Sequence, residues 1–188
     1  MSKKIVIIDC GSLKVSDIGY MLKEIGVFYD TIKLTDLKQV GSDYAGIVVS
    51  GAPVLLTETD ATTYLAKFKP LLDSDLPVLG ICFGHQLLGM SFGATISRCK
   101  EDRDIQTIHL KGLDNLFEGF GIWETFMEDH CECISLPATF ELLGSSLVCE
   151  NEAMRHISKP LFGVQFHPEV SGENGKKLFS NFIKICKG

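Results

Sequence analysis

A cysteine between two glycines is the first residue whose surroundings suggest catalysis. Cys82 lies in the segment 80–84 (GICFG), after an apolar run and before a helical pattern. A nucleophile flanked by glycines at such a junction is typical of a tight strand-to-helix turn that exposes the side chain. The backbone N–H of Phe83 would begin the helix and could donate to a developing oxyanion. The pattern predicts a cysteine nucleophile, and a buried core cysteine is the alternative.

A histidine and a glutamate two residues apart are candidates for a general base and its orienting partner. An apolar segment, 161–166, leads into His167, Pro168 and Glu169. Proline favours an extended backbone at the preceding residue, and side chains two apart on an extended chain point the same way. The carboxylate can then hold one ring nitrogen while the other faces a thiol. The sequence predicts a Cys82–His167–Glu169 triad, and a polar histidine at a strand end is the alternative.

The elements that must position these residues alternate along the first half of the chain. Strands are predicted at 4–9, 28–34, 46–50 and 77–82, and helices at 15–25, 64–72 and 84–92. Apolar strands separated by helices indicate a parallel sheet covered on both faces. The second half predicts strands at 95–110, 122–135, 141–149 and 161–166, and a last helix at 176–186. We expect one domain, 1–188, with an α/β three-layer sandwich and a mainly parallel sheet with antiparallel additions.

Charge and hydropathy limit the classes of function. The 188 residues carry a formal net charge of −6 and include no basic block. Neither nucleic acid, which is bound through phosphate neutralisation, nor a membrane is therefore an expected partner. The first apolar run spans four residues before Asp9, too few for a signal peptide, and no apolar stretch approaches the ~20 residues of a membrane span. We expect a cytoplasmic protein.

Cysteine usage raises the question of a metal. The seven cysteines are Cys10, Cys82, Cys99, Cys131, Cys133, Cys149 and Cys186. An odd number without a secretory signal favours reduced thiols. Cys131 and Cys133 form a C-x-C pair beside His130, but this spacing differs from that of zinc knuckles and no second pair accompanies it. Alternate positions on a strand explain the pair better, so neither a metal nor another cofactor is predicted.

Two motifs together resemble the class I glutamine amidotransferases. These are GICFGHQ at 80–86 and GVQFHPE at 163–169, and the likeness runs from Ile5 to Ile185. The resemblance implies a flavodoxin-like fold. It also implies that Cys82 attacks the carboxamide of glutamine and that His167, held by Glu169, protonates the departing ammonia. Water then hydrolyses the γ-glutamyl thioester.

The resemblance further implies contacts around the substrate. Gln86, Gly51 and His130 would contact glutamine, and the N–H groups of Ala52 and Phe83 would form the oxyanion hole. The chain has SGAP at 50–53, where the family usually has SGGP. Alanine resists positive φ, so the peptide N–H of Ala52 is expected to turn away until a partner docks. The alternative is an ordinary conformation of Ala52 that is already competent.

Softer signals concern the partner. Within the family the chain is most similar to the glutaminase components of GMP synthases, through DCGS at 9–12, NEAMRH at 151–156 and HPEV at 167–170. The sequence contains no G-x-x-x-x-G-K-[ST] phosphate loop. We therefore expect L-glutamine as substrate and, as partner, a separate ATP-dependent synthetase subunit. A free-standing γ-glutamyl hydrolase and a non-catalytic regulatory module are the alternatives.

Overall fold

A computed structural model describes residues 3–111 and 114–188. Within these residues the strands are β1 (Lys4–Asp9), β2 (Tyr29–Lys33), β3 (Tyr44–Val49), β4 (Val78–Ile81), β5 (Ile96–Asp102), β6 (Ile105–Leu110), β7 (Trp123–Met127), β8 (His130–Ile134), β9 (Phe140–Ser145), β10 (Ala153–His156) and β11 (Leu161–Val164). The α-helices are α1 (Val15–Glu24), α2 (Ala61–Leu72), α3 (Phe83–Ser91) and α4 (Gly172–Lys187). No helix in these ranges is long and apolar enough to cross a bilayer.

The main sheet has a parallel half and an antiparallel half. Its strand order is β2-β1-β3-β4-β11-β10-β9-β6-β7. Pairing is parallel from β2 to β11 and antiparallel from β11 to β7. This arrangement confirms the predicted α/β class with antiparallel additions to a parallel sheet.

Both faces of the parallel half are buried, which explains its unbroken apolar strands. Ile5 and Ile7 of β1 pack on one side with α1 and α4, whereas Val6 and Ile8 pack on the other with α2 and α3. Successive side chains of a strand point to opposite faces, so every position must be apolar when helices cover both. The three layers follow from this pattern.

Two predicted strands are wrong in extent. The segment 95–110 divides into β5 and β6, and 122–135 divides into β7 and β8. β6 and β7 join the main sheet, whereas β5 and β8 pair separately as a two-stranded sheet. The chain crosses between the two sheets where the N–H of Glu128 donates to the carbonyl of Asp104 at 3.0 Å. This small sheet becomes one wall of the site described below.

One strand was not predicted at all. β10 lies between β9 and β11, within the segment NEAMRH that the sequence presented as a motif. Its four residues include a charged and a polar side chain, so hydropathy alone gave no strand signal. The pairing partners on both sides supply its stability.

Candidate active site

The carboxyl ends of four parallel strands meet at one cavity. β1, β3, β4 and β11 are neighbours in the sheet, and the loops that follow them bound a space of about 360 Å³. Ligands of open α/β sheets bind at this edge, and the volume suits a small-molecule substrate. The lining residues include Ser12, Lys14, Ala52, Cys82, Phe83, Gln86, Arg103, Asp129, His130, Glu132 and His167.

Cys82 occupies a strained turn between β4 and α3. Its φ is 50° and its ψ is −104°, and it is the only non-glycine residue with positive φ within 3–111 and 114–188. Its N–H donates to the carbonyl of Val164 at 2.8 Å, and its own carbonyl accepts from the N–H of Gln86 at 3.0 Å. A non-glycine residue held in this region costs about 1–3 kcal/mol and is typical of functional sites. The geometry is that of a nucleophile elbow.

The flanking glycines are required by close backbone packing. A Cβ on Gly80 would lie 2.6 Å from the backbone of Gly84, and a Cβ on Gly84 would lie 2.7 Å from the carbonyl oxygen of Val49. Both obstacles are backbone atoms, which cannot move aside as a flexible side chain can. The GICFG spacing is therefore a condition for the turn that presents Cys82.

We expect Gly84→Ala to destabilise the protein, although alanine is favoured over glycine in helices. The clash with Val49 should outweigh that preference and cost about 1–3 kcal/mol, as overpacking does. Urea unfolding measures the free energy of unfolding. Gly41→Ala is the matched control, because its nearest neighbour would be an Asp43 oxygen at 4.0 Å. A stability equal to that of the wild type in Gly84→Ala would contradict the packing account.

His167 is joined to Glu169 and fixed by its backbone. The His167 Nδ1 lies 2.7 Å from the Glu169 Oε1, and both side chains are buried. The N–H of His167 donates to the carbonyl of Met127 at 2.8 Å, and the Ser171 hydroxyl donates to the carbonyl of His167 at 2.6 Å. Glu169 lies in a 3₁₀ turn, Pro168–Val170, rather than on an extended chain as expected. The turn still brings the carboxylate to the ring.

The charge state of His167 depends on the two other candidate residues. Burial opposes the imidazolium, but the negative charge of Cys82 and the hydrogen bond to Glu169 outweigh it and raise the pKa of His167 to about 10. A charged imidazole beside the sulfur can act as a general acid and donate its proton to a leaving group. The structure thus brings together the three residues that the sequence grouped.

Gln165 is a polar neighbour of the sulfur to which sequence analysis assigned no role. Its Nε2 donates to the Cys82 Sγ at 3.5 Å, and its Oε1 accepts from the Gln86 Nε2 at 3.2 Å. Gln86 also donates to the carbonyl of Glu132 at 3.2 Å. A signal was present, because Gln165 precedes His167 by two residues and so shares its direction on an extended chain.

The loop after β3 approaches the candidate triad closely. A Cβ on Gly51 would lie 3.2 Å from the His167 Cε1 and 3.7 Å from the Cys82 Cβ. The Ser50 hydroxyl donates to the carbonyl of Gly51 at 2.9 Å and accepts from the N–H of Cys10 at 2.9 Å. Because the peptide between Gly51 and Ala52 is trans, the N–H of Ala52 points away from the Ser50 hydroxyl.

Ala52 lies outside the positive-φ region. This backbone is expected both for a resting loop that turns the Ala52 N–H away and for a loop that is already competent. Gating of the loop by a docking partner therefore stays a prediction. Donation by the N–H groups of Ala52 and Phe83 to an oxyanion stays a prediction.

His130 lines the cavity, but its ring nitrogens bind elsewhere. The Nε2 lies 3.3 Å from the Glu128 Oε2, and the Nδ1 lies 3.6 Å from the Cys99 Sγ. Burial disfavours the charged ring, but the Cys133 thiol and the Glu128 carboxylate outweigh this and raise the pKa of His130. Contact between His130 and the substrate stays a prediction.

The cavity mouth carries charges of both signs. Asp129 binds the Lys14 Nζ at 2.5 Å and the Arg103 Nη1 at 3.1 Å. On the opposite side, the Glu132 carboxylate accepts from the N–H groups of Leu56 and Thr57, at 3.0 and 2.8 Å. β8 therefore anchors the loop that follows β3 and completes the cavity wall.

Known proteins and a family model match this chain along nearly its whole length. Residues 6–186 match the family model described as glutamine amidotransferase class-I. The glutamine-hydrolyzing GMP synthase subunit of Methanocaldococcus jannaschii is 35% identical over 191 residues, covering 97% of each chain. The same subunit from Pyrococcus abyssi is 35% identical over 192 residues, covering 97% of this chain and 98% of its own.

Solved structures share the fold. A protein of Thermoplasma acidophilum, provisionally described as the corresponding GMP synthase subunit, superposes with a TM-score of 0.89 at 29% identity, covering 100% of this chain and 95% of its own. A glutamine amidotransferase of Thermotoga maritima superposes with a TM-score of 0.80 at 19% identity, over 100% and 85%. At that identity the second likeness concerns the fold alone.

Proposed function

We propose, since the chain belongs to the class I glutamine amidotransferase family, that it hydrolyses L-glutamine to glutamate and ammonia. The observation that carries this proposal is the strained Cys82 beside a His167–Glu169 pair in a cavity at the carboxyl edge of the sheet. The ammonia would pass to a separate synthetase subunit.

The first step forms a covalent intermediate. The Cys82 sulfur attacks the carboxamide carbon of glutamine while His167 holds the thiol proton. The negative charge that develops on the amide oxygen is stabilised by the N–H groups of Phe83 and Ala52. Before attack, the Gln165 side chain donates a hydrogen bond to the Cys82 sulfur. This hydrogen bond orients the sulfur towards the substrate.

The second step releases ammonia, and the third regenerates the thiol. The C–N bond breaks as the His167 imidazolium gives its proton to the departing nitrogen, which leaves a γ-glutamyl thioester on Cys82. Water then attacks the thioester carbon and gives a proton to His167. The C–S bond breaks, glutamate leaves, and the thiol is restored. Glu169 keeps the ring oriented throughout.

The charges at the cavity mouth fit a free α-amino acid. Asp129 can accept from an α-ammonium group, and Lys14 and Arg103 can bind an α-carboxylate. A neutral amide lacks both groups. These side chains therefore favour glutamine, or another γ-glutamyl compound, over a simple amide.

We propose GMP synthase as the acceptor reaction. The relatives named above are subunits of glutamine-hydrolysing GMP synthases, and this chain covers almost their full length. At the cavity mouth Leu13 is 95% exposed, which suits contact with a partner placed to receive ammonia. We assign the ATP-dependent step to that partner; this chain has no G-x-x-x-x-G-K-[ST] phosphate loop.

The test measures glutamate release by the purified chain, first alone and then with ATP, XMP and the synthetase subunit of a GMP synthase. We expect hydrolysis of glutamine and, with the partner, formation of GMP that depends on glutamine. Turnover of γ-glutamyl peptides but not of glutamine would favour the free-standing hydrolase. Absence of turnover in both conditions, with the protein folded by circular dichroism, would contradict the proposal.

A further inference from the structure

The two-stranded sheet β5–β8 brings two cysteines and a histidine together outside the triad. Cys99 lies on β5, and His130 and Cys133 lie on β8. Their Sγ and Nδ1 or Nε2 atoms all lie within 4.8 Å of one another. The register of the two strands shifts between Arg98 and Asp102, and this irregularity surrounds Cys99.

The geometry points to a site for a thiophilic divalent cation such as Zn²⁺, held by the Cys99 Sγ, the Cys133 Sγ and the His130 Nδ1. Tetrahedral zinc binds sulfur at about 2.3 Å and nitrogen at about 2.0 Å, which places neighbouring S and N ligands roughly 3.6 Å apart. The Cys99 Sγ and the His130 Nδ1 are separated by 3.6 Å. Thiolate and imidazole together are the ligand set that zinc prefers.

The far side of His130 supplies an independent observation. Its Nε2 lies 3.3 Å from the Glu128 Oε2, and histidines that bind metals usually donate their other ring N–H to such a carboxylate. His130 is 6% exposed and Glu128 is 1% exposed. Among the residues that the structure describes, the His130 Nε2 and both Glu128 carboxylate oxygens lack a well-formed hydrogen bond. A cation at Nδ1 would fix the proton on Nε2 and strengthen its donation to Glu128.

Metal binding replaces protons. As the ion enters, the S–H bonds of protonated thiols and the Nδ1–H bond of the His130 ring break, two metal–sulfur bonds and one metal–nitrogen bond form, and the displaced protons pass to solvent. The Nδ1 of His130 also lies 3.2 Å from the carbonyl of Glu132, a contact that the metal bond would replace. Cys149 is buried near Cys133 but is not in this group of three.

The site would brace the cavity wall. β8 carries Glu132, which holds the loop after β3, and β5 is followed by Arg103 at the cavity mouth. A bond from the ion to both strands would cross-link this wall. The ion would lie on the opposite side of the His130 ring from Glu128 and would take no part in the proposed hydrolysis.

Titration of reduced, untagged, metal-free protein with Co²⁺ tests the proposal, because thiolate-to-cobalt charge transfer gives near-ultraviolet absorption. We expect saturation at one Co²⁺ per chain, and displacement by Zn²⁺. Cys99→Ser and Cys133→Ser should each lose the charge-transfer band. Cys131→Ser is the matched control, because Cys131 lies on the same strand and is also half-buried; it should keep the band.

Glu128→Gln tests whether His130 is a metal ligand supported by Glu128, or whether the thiols are close without forming a metal site. It preserves the shape of the side chain but removes the carboxylate, and loss of such an outer partner lowers metal affinity by roughly 10–100-fold. An unchanged affinity in Glu128→Gln would overturn the assignment of His130 as a ligand. Absence of the band in the folded reduced wild type, its survival in Cys99→Ser and Cys133→Ser, or formation of a Cys133 disulfide in place of metal binding would overturn the site. None of these readouts requires glutaminase activity.

Discussion

Cys82→Ala is expected to reduce glutamine hydrolysis to background, a loss of roughly 10⁶-fold in kcat by analogy with other nucleophile deletions. The thioester cannot form without the sulfur, and the remaining triad residues have no nucleophile to activate. Alanine should fit this turn as well as cysteine does, because both residues carry a Cβ at the same positive φ. Glutamate release, followed by a coupled dehydrogenase assay, measures the effect.

The control for this substitution is another thiol that is remote from the cavity. Cys186 lies on α4 and is half-buried against Gly46, so Cys186→Ser should keep the wild-type kcat. Mass spectrometry of wild type quenched during turnover should find a γ-glutamyl adduct on Cys82. Residual activity of Cys82→Ala above about one per cent of the wild type would argue against covalent catalysis by this residue.

The parallel half of the fold was predictable because its signals are local. Each buried strand is a short apolar run, and each helix shows its own periodicity, as in β1 and α1. The antiparallel half was harder. β10 has a mixed composition and is stabilised by β9 and β11, which lie elsewhere in the sequence. Partners that are distant in sequence leave no local signal.

The candidate site shows the same division. Cys82 with its two glycines, and His167 with Glu169, are each contained in one short segment, so spacing alone revealed them. The orientation of the His130 ring was not predictable. Cys99 is 31 residues away in the sequence, and Glu128 lies where the chain passes from the main sheet to the two-stranded sheet. The C-x-C spacing favoured a plain strand, and Cys131 and Cys133 do lie on β8. The pairing with β5 brings the Cys99 thiol to Cys133 and His130.

His167→Ala is expected to lose more activity than Glu169→Gln. Without the imidazole no group can protonate the departing ammonia, so His167→Ala should lose as much activity as Cys82→Ala, since members of one catalytic unit are not additive. Glutamine at position 169 keeps a hydrogen-bonding side chain near the ring, where the carboxylate now lies 2.7 Å from Nδ1. The loss should then be smaller, on the order of 10⁴-fold at most. Steady-state kcat values give the comparison.

The pH dependence of kcat tests whether Glu169 is paired with His167 during turnover. The ring must be charged when it gives its proton to ammonia, and this form is lost as pH rises through the pKa of His167, about 10 in the wild type. Glu169 is one of the groups that raise this pKa, so Glu169→Gln should shift the alkaline limb of the profile to lower pH. Ser171→Ala, which removes hydrogen bonds to the His167 carbonyl and the Met127 N–H but none to the ring, should leave that limb in place. Superimposable alkaline limbs in the wild type and Glu169→Gln would show that the carboxylate does not hold the ring during turnover.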